Sequence, residues 1–194
     1  VPSKTTFNLV TEPWIPVSMM NGSARLLSIH DVFSQGRSIR SVEGDNPFQT
    51  AAIYRLLLAV FYRAVTPLYL SQKDNVENAD VHFWKLLWDD EDSDIPDIVN
   101  SYISNYRKRF DLFDRTRPFF QVATLEYVNE QEGRSSIGRI MPDQDKISVF
   151  RKSDFDGAMS YAEAARILVT YQSWSTTTIL SPTLGMYEDM TEVP

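Results

Sequence analysis

Apolar residues along this chain shift from short extended runs to helical spacing at Pro47. Before it, Phe7, Leu9 and Val10, then Trp14, Ile15 and Val17, read as short strands interrupted by Pro13 and Pro16. Asn21-Gly22 marks a hairpin turn, because both residues tolerate positive φ. Leu26, Leu27 and Ile29 form the returning strand. Asp31, or Ser28 before it, can cap a short helix that runs through Phe33.

Pro47 opens the strongest helix, since a missing N–H costs nothing in a first turn. Asp45 or Asn46 can cap it. Ala51, Ala52, Tyr54, Leu57, Leu58, Phe61 and Val65 recur at helical spacing, and Leu56 and Val60 widen the stripe. So wide an apolar surface predicts a central, nearly buried helix, ended by Pro67.

A second helix is expected from Asp80 to Trp88, followed by an acidic loop. Asp94-Ile95-Pro96 restarts a helix that carries Ile98, Val99, Tyr102, Ile103 and Tyr106 to about Phe110. Its acidic start and its basic end at Arg107, Lys108 and Arg109 suit the helix dipole. Pro118 to Leu125 reads as a strand, Glu126 to Asp145 as a polar surface excursion, and Ile147 to Phe150 as a short strand or turn. Ser160 and Glu163 form a capping box for a final helix from Tyr161 to about Trp174. These elements predict an α+β class: a mixed α/β domain over residues 1–194, with a strand hairpin and several packed helices.

Composition narrows the class. A chain of 194 residues that is 43% hydrophobic can bury a sizeable core. The apolar run from Leu56 to Phe61 is bracketed by Arg55 and Arg63 and is too short to span a bilayer, so no membrane partner is expected. No signal-peptide pattern opens at Val1, and the missing initiator Met points to trimming or a partial N-terminus. Without cysteine there is no disulfide framework and no thiolate metal site, which fits a cytoplasmic protein.

The net charge of −7 argues against indiscriminate nucleic-acid binding. Six acids crowd one segment: Asp89, Asp90, Glu91, Asp92, Asp94 and Asp97. Setting those aside leaves 20 acids against 19 basic residues, so local basic clusters are possible. Two stand out, at Arg107 to Arg109 and at Lys146, Arg151 and Lys152.

Enzyme signatures are missing. There is no phosphate-binding loop, no dinucleotide glycine pattern and no nucleophile elbow. His30 and His82 lack metal-ligand spacing and read as structural. The acidic segment lacks the spacing and glycine of a calcium loop and reads as solvated. The aromatic groups Phe83, Trp84 and Trp88, and Phe110, Phe113, Phe119 and Phe120, could stack bases but read as core. No catalytic residue, metal or cofactor is expected.

Four segments in order nevertheless resemble one family. They are Phe7-Asn8-Leu9 with Glu12-Pro13-Trp14-Ile15-Pro16-Val17; Gly44-Asp45 with Pro47, Gln49, Ala51 and Ala52; Arg109-Phe110-Asp111-Leu112-Phe113 with Pro118-Phe119-Phe120-Gln121; and Ser160 to Arg166 with Tyr171-Gln172. Together they resemble CasA, the large subunit of the type I-E CRISPR surveillance complex Cascade. The resemblance implies a mixed α/β N-terminal domain, with the family's C-terminal helical bundle absent from this chain. It implies a non-enzymatic role in antiviral defense. The subunit would help recognise the target-flanking motif in double-stranded DNA (PAM recognition), start strand separation and recruit the helicase–nuclease effector. Implied partners are the other Cascade subunits with guide RNA, the target DNA and that effector.

Two departures accompany the resemblance. The family's lysine and glutamine probing elements would lie beyond Pro194. A glycine-rich basic loop is expected after Trp174, yet the sequence passes straight to Ser175-Thr176-Thr177-Thr178: either the protein lacks that loop or the loop is missing from this sequence. One site transfers residue by residue: Val149-Phe150-Arg151-Lys152 resembles the family's mobile loop. There Phe150 would stack or wedge against a base, and Arg151 and Lys152, with Lys146 nearby, would neutralise phosphates. The rival readings are a structural protein-interaction domain and a metal-dependent hydrolase using Asp90 and Asp92.

Overall fold

The computed structural model describes residues 5–72, 95–123, 126–127, 159–174 and 183–184. Outside them lie the expected 80–88 helix, the acids from Asp89 to Asp94, the bulk of the polar excursion and the 147–150 element.

Strands β1 (Ile15–Met19), β2 (Ala24–Leu27) and β3 (Ile39–Val42) form an antiparallel sheet in the order β2-β1-β3. Ile15, Val17 and Met19 alternate inward and are buried, as a two-residue period demands. The hairpin turns at Asn21-Gly22: Gly22 takes φ 84°, and Asn21 Oδ1 accepts from Ser23 N at 3.0 Å. Pro16 does not break the central strand. Its carbonyl accepts from Glu43 N at 2.8 Å, just past the last β1–β3 pair at Val17 and Val42.

Two expectations for this region change. Phe7, Leu9 and Val10 are not a strand. Asn8 makes a single bridge to Asp111, and its side chain then accepts from Val10 N at 3.1 Å and turns the chain. Such local side-chain bonding competes with a sheet ladder. Ile29 does not extend β2; it opens helix α1 (Ile29–Ser34). Ser28 and Asp31 cap α1 reciprocally, with Ser28 Oγ accepting from Asp31 N at 3.1 Å.

Helix α2 (Pro47–Gln72) starts as the sequence predicts. Asn46 Oδ1 accepts from Gln49 N at 2.9 Å, and Gln49 Oε1 accepts from Asp45 N at 2.9 Å. The entering chain passes so close that a Cβ on Gly44 would stand 2.6 Å from Thr50 N. Ala52, Ile53, Leu57, Val60, Ala64 and Val65 are buried, but Tyr54, Leu58, Tyr62 and Leu70 are exposed. The helix is therefore half-buried rather than nearly buried. At 26 residues it is about 39 Å long by the helical rise. By length and composition it could cross a membrane, unlike the shorter apolar run within it. It is also the helix on which the core is built, packing against the helices Ile95–Asn105 and Tyr161–Trp174.

Pro67 lies inside α2 and does not end it. Leu68 and Tyr69 beyond it pack on the core, and the Thr66 hydroxyl donates to Tyr62 O at 2.5 Å. Packing thus outweighs the lost backbone donor. Pro67 is exposed, so Pro67→Ala should restore one helical bond without disturbing the core. The expected gain is about 1–2 kcal/mol, read as a higher denaturant midpoint at unchanged slope.

Helix α3 (Ile95–Asn105) buries Val99 and Ile103, and ends before Phe110. A 3₁₀ turn (Arg107–Phe110) follows and carries Phe110 into the core. Pro118 to Ala123 is a series of turns, not a strand. Asp111 Oδ1 accepts from Phe113 N, and Asp114 Oδ1 from Thr116 N and Arg117 N, each at 2.9 Å. These aspartate turns coil the backbone away from extension. A two-residue ribbon pairs β4 (Glu126–Tyr127) with β5 (Thr183–Leu184). Helix α4 (Tyr161–Trp174) has the predicted bounds and buries Ala165 and Val169 against α2.

Candidate functional site

The four segments that carry the family resemblance meet one another in space. Leu9 N donates to Phe110 O at 2.9 Å, and Leu112 N to Phe7 O at 3.0 Å. Asn8 Nδ2 donates to Arg107 O at 2.8 Å. Phe7 and Phe113 both set an edge against the Tyr161 ring, at 5.7 and 4.8 Å. Gln172 Nε2 donates to Phe120 O at 3.2 Å.

Arg166 joins the other segments. Its side chain is almost wholly buried, Nη1 donates to Trp14 O at 3.2 Å, and Nε faces Asp45 Oδ2 at 3.5 Å. Trp14 is fully buried, and its indole donates to Leu9 O at 3.0 Å. The contacts of these residues are packing and hydrogen bonds that hold the elements together. Glu163 accepts from both Ser160 Oγ and Ser160 N at 2.7 Å. The Ser160 side-chain bond, then the backbone bond, hold its carboxyl below the ordinary 4.5.

The end of α4 is pinned to the start of α2. Trp174 Nε1 donates to Phe48 O at 2.9 Å, Arg55 lies 5.5 Å over the Trp174 ring, and Arg55 Nη1 donates to Ser173 O at 3.0 Å. The contact fixes where the chain leaves α4. Ser175 to Thr178 beyond it are outside the described residues.

An open basic groove of 690 Å³ lies between α2, α3 and the 110–123 turns. Among the described residues, Arg63, Arg109 and Arg117 line it, and no carboxylate does. All three arginines are exposed. Tyr102 and Tyr106 pack ring on ring at 4.8 Å on one wall, and Phe119 and Phe120 stack at 4.2 Å on another. Phe120 has φ 55°, and among the described residues no other residue besides glycine has positive φ. A bulky residue held there is strained, and its ring is 44% exposed.

The sequence-predicted site residues Lys146, Phe150, Arg151 and Lys152 lie outside the described residues, as does His82. His30 is exposed, 3.7 Å from Asp31 and 3.5 Å from Ser34 Oγ. Of the six clustered acids, Asp97 is described, in the first turn of α3. Among the described residues no group of three His, Asp or Glu could hold a metal ion. Phe110 and Phe119 are core, as read from sequence, but Phe113 and Phe120 are exposed. Sequence reasoning picked out Arg109 and missed Arg63 and Arg117. A cation at Arg63, inside an otherwise apolar stretch, was the available signal.

Comparison with known proteins gives a consistent result. The family described as CRISPR-associated protein Cse1 matches residues 8–188. The CasA/Cse1 protein of Thermus thermophilus is 28% identical over 172 residues, 87% of this chain and 32% of its own length. The crystal structure of Thermobifida fusca Cse1 superposes with a TM-score of 0.72 at 35% identity, covering 93% of this chain and 32% of that one. A chain of a CRISPR RNA-guided surveillance complex shares the fold at a TM-score of 0.60 and 21% identity, over 85% of this chain and 34% of its own. The chain thus spans about a third of the length of these relatives.

Proposed function

The chain belongs to the CRISPR-associated Cse1 family, and from that premise we propose that it forms the N-terminal part of the large subunit of an RNA-guided DNA surveillance complex. The observation that carries the reading is the family match over residues 8–188. In this role the subunit helps recognise the target-flanking motif, starts strand separation and recruits the helicase–nuclease effector, all in the cytoplasm. None of these duties needs bond chemistry from this chain. Guide pairing reads the sequence, while the protein reads a short flanking duplex and its backbone. A few basic and aromatic contacts then suffice, and an acidic average of −7 is compatible with them. Phe150, with Arg151, Lys152 and Lys146, is the proposed contact to nucleic acid.

The test is reconstitution. The complete protein is added to a Cascade core lacking its large subunit, with target DNA carrying or lacking a flanking motif. A motif-dependent gain in DNA affinity is expected. Arg151→Ala with Lys152→Ala should weaken that binding and reduce its salt slope by about 2, roughly 0.9 per phosphate contact. Failure to join the core would overturn the reading. Normal assembly with no effect of basic substitutions on DNA binding would favour a protein-interaction role instead, which the purely structural contacts of the four segments would also suit.

A further inference from the structure

The geometry points to the Arg63–Arg109–Arg117 groove as a binding site for single-stranded DNA. The assignment deepens the proposed function, because strand separation there supplies a single strand.

Charge complementarity comes first. In a chain of net charge −7, three exposed arginines converge on one groove that no carboxylate among the described residues lines. No ion pair involving them exists among the described residues, so their guanidinium groups are available to phosphates. They come from three separate elements: Arg63 from α2, Arg109 from the 3₁₀ turn and Arg117 from the turns beyond it. A solvated helix face would not assemble that set.

The rings supply the second argument. Tyr106 and Phe120 are 47% and 44% exposed at the groove walls. Phe119 and Tyr102 back them, each in ring contact with its exposed neighbour. Exposed aromatics beside arginines are what unpaired bases and their phosphates require. A duplex hides its base faces and gains nothing from these rings. An acidic peptide would meet the arginines and leave the rings unused. The positive φ of Phe120 fits the same purpose: the backbone holds a strained conformation that leaves this ring outside the core.

The test uses the complete protein, labelled oligothymidylate, a duplex of equal length and an RNA strand, read by fluorescence anisotropy across a salt series. Single-stranded DNA should bind with a salt slope near −2, a loss of about 20-fold between roughly 50 and 200 mM salt. Arg63→Gln, Arg109→Gln and Arg117→Gln together should flatten that slope. Phe120→Asn removes the ring but suits the left-handed backbone, so stability should hold while affinity falls about 5-fold or more. A loss of duplex binding in the triple variant as large as its loss of single-strand binding, tighter binding of RNA, or equal displacement by oligoglutamate would overturn the assignment. So would an unchanged slope in the triple variant. The triple variant is also added to the Cascade core. If wild type and variant both join the core and bind DNA alike, the groove assignment fails and the proposed function stands. If wild type fails to join, the proposed function fails whatever the groove binds.

Discussion

Trp14→Ala is expected to cost about 4–5 kcal/mol, most of the stability of an ordinary domain. Trp14 has no exposed surface and sits where β1 begins, with Leu9, Ile15 and Ile29 also fully buried nearby in sequence. Its removal leaves a cavity about the size of an indole in the core. It also strips Leu9 O of the indole donor at 3.0 Å, in a buried setting. Leu9 O keeps its bond from Ile29 N at 3.1 Å, so the lost indole bond adds only about 0.5–1.5 kcal/mol to the packing loss. Trp14→Phe separates the two terms: it keeps much of the volume and loses the hydrogen bond, so about half the effect is expected. Urea denaturation with an unchanged slope is the measurement. A loss below about 1 kcal/mol for the alanine variant would show that the core closes over the gap.

Arg166→Ala is the second large effect, at about 2–4 kcal/mol. This guanidinium is buried, and it ties α4 to the start of β1 through Trp14 O at 3.2 Å. Nε has no hydrogen-bond partner; Asp45 at 3.5 Å meets the charge without bonding geometry. Asp45 is 62% exposed, so solvent screens the pair and Asp45→Asn should cost no more than about 1 kcal/mol. The asymmetry is the prediction. The arginine matters through burial and its bond to a backbone carbonyl, and little through the ion pair. Arg166→Lys should recover only part of the loss, because an ammonium lacks the planar fork that reaches both neighbours. A double-mutant cycle giving an Arg166–Asp45 coupling as large as the Arg166→Ala loss would refute this account.

Both variants act on the four family-resembling segments, which pack on one another in the fold. What could not be read from the chain was their mutual contact. Arg166 lies 152 positions from Trp14 along the chain. No periodicity links them, and a buried arginine looks like any surface arginine until the fold closes over it.

Local chemistry was legible wherever it was short-range. The Asn21-Gly22 hairpin, the Asn46 and Ser28 caps, the Ser160–Glu163 box and the bounds of α4 all follow from groups within a few residues of one another. The failures share a cause. Pro67, the Phe7–Val10 segment and the 118–123 turns were each decided by distant packing or by side-chain bonds that override propensity. Phe113 and Phe120 were read as core because hydrophobicity alone cannot tell which way a ring faces.

By itself the sequence determined the α+β class, the start of α2 and the caps of α1 and α4, each of which depends on residue type at fixed spacing; the family followed from the resemblance of four segments in order. Tertiary structure alone decided that α2 keeps one apolar face exposed, that Arg166 is interior, and that Arg63, Arg109 and Arg117 share a groove with Tyr106 and Phe120. Those outcomes depend on which surfaces the packed helices and turns leave open. Burial and convergence are properties of the closed chain, and spacing along it does not encode them.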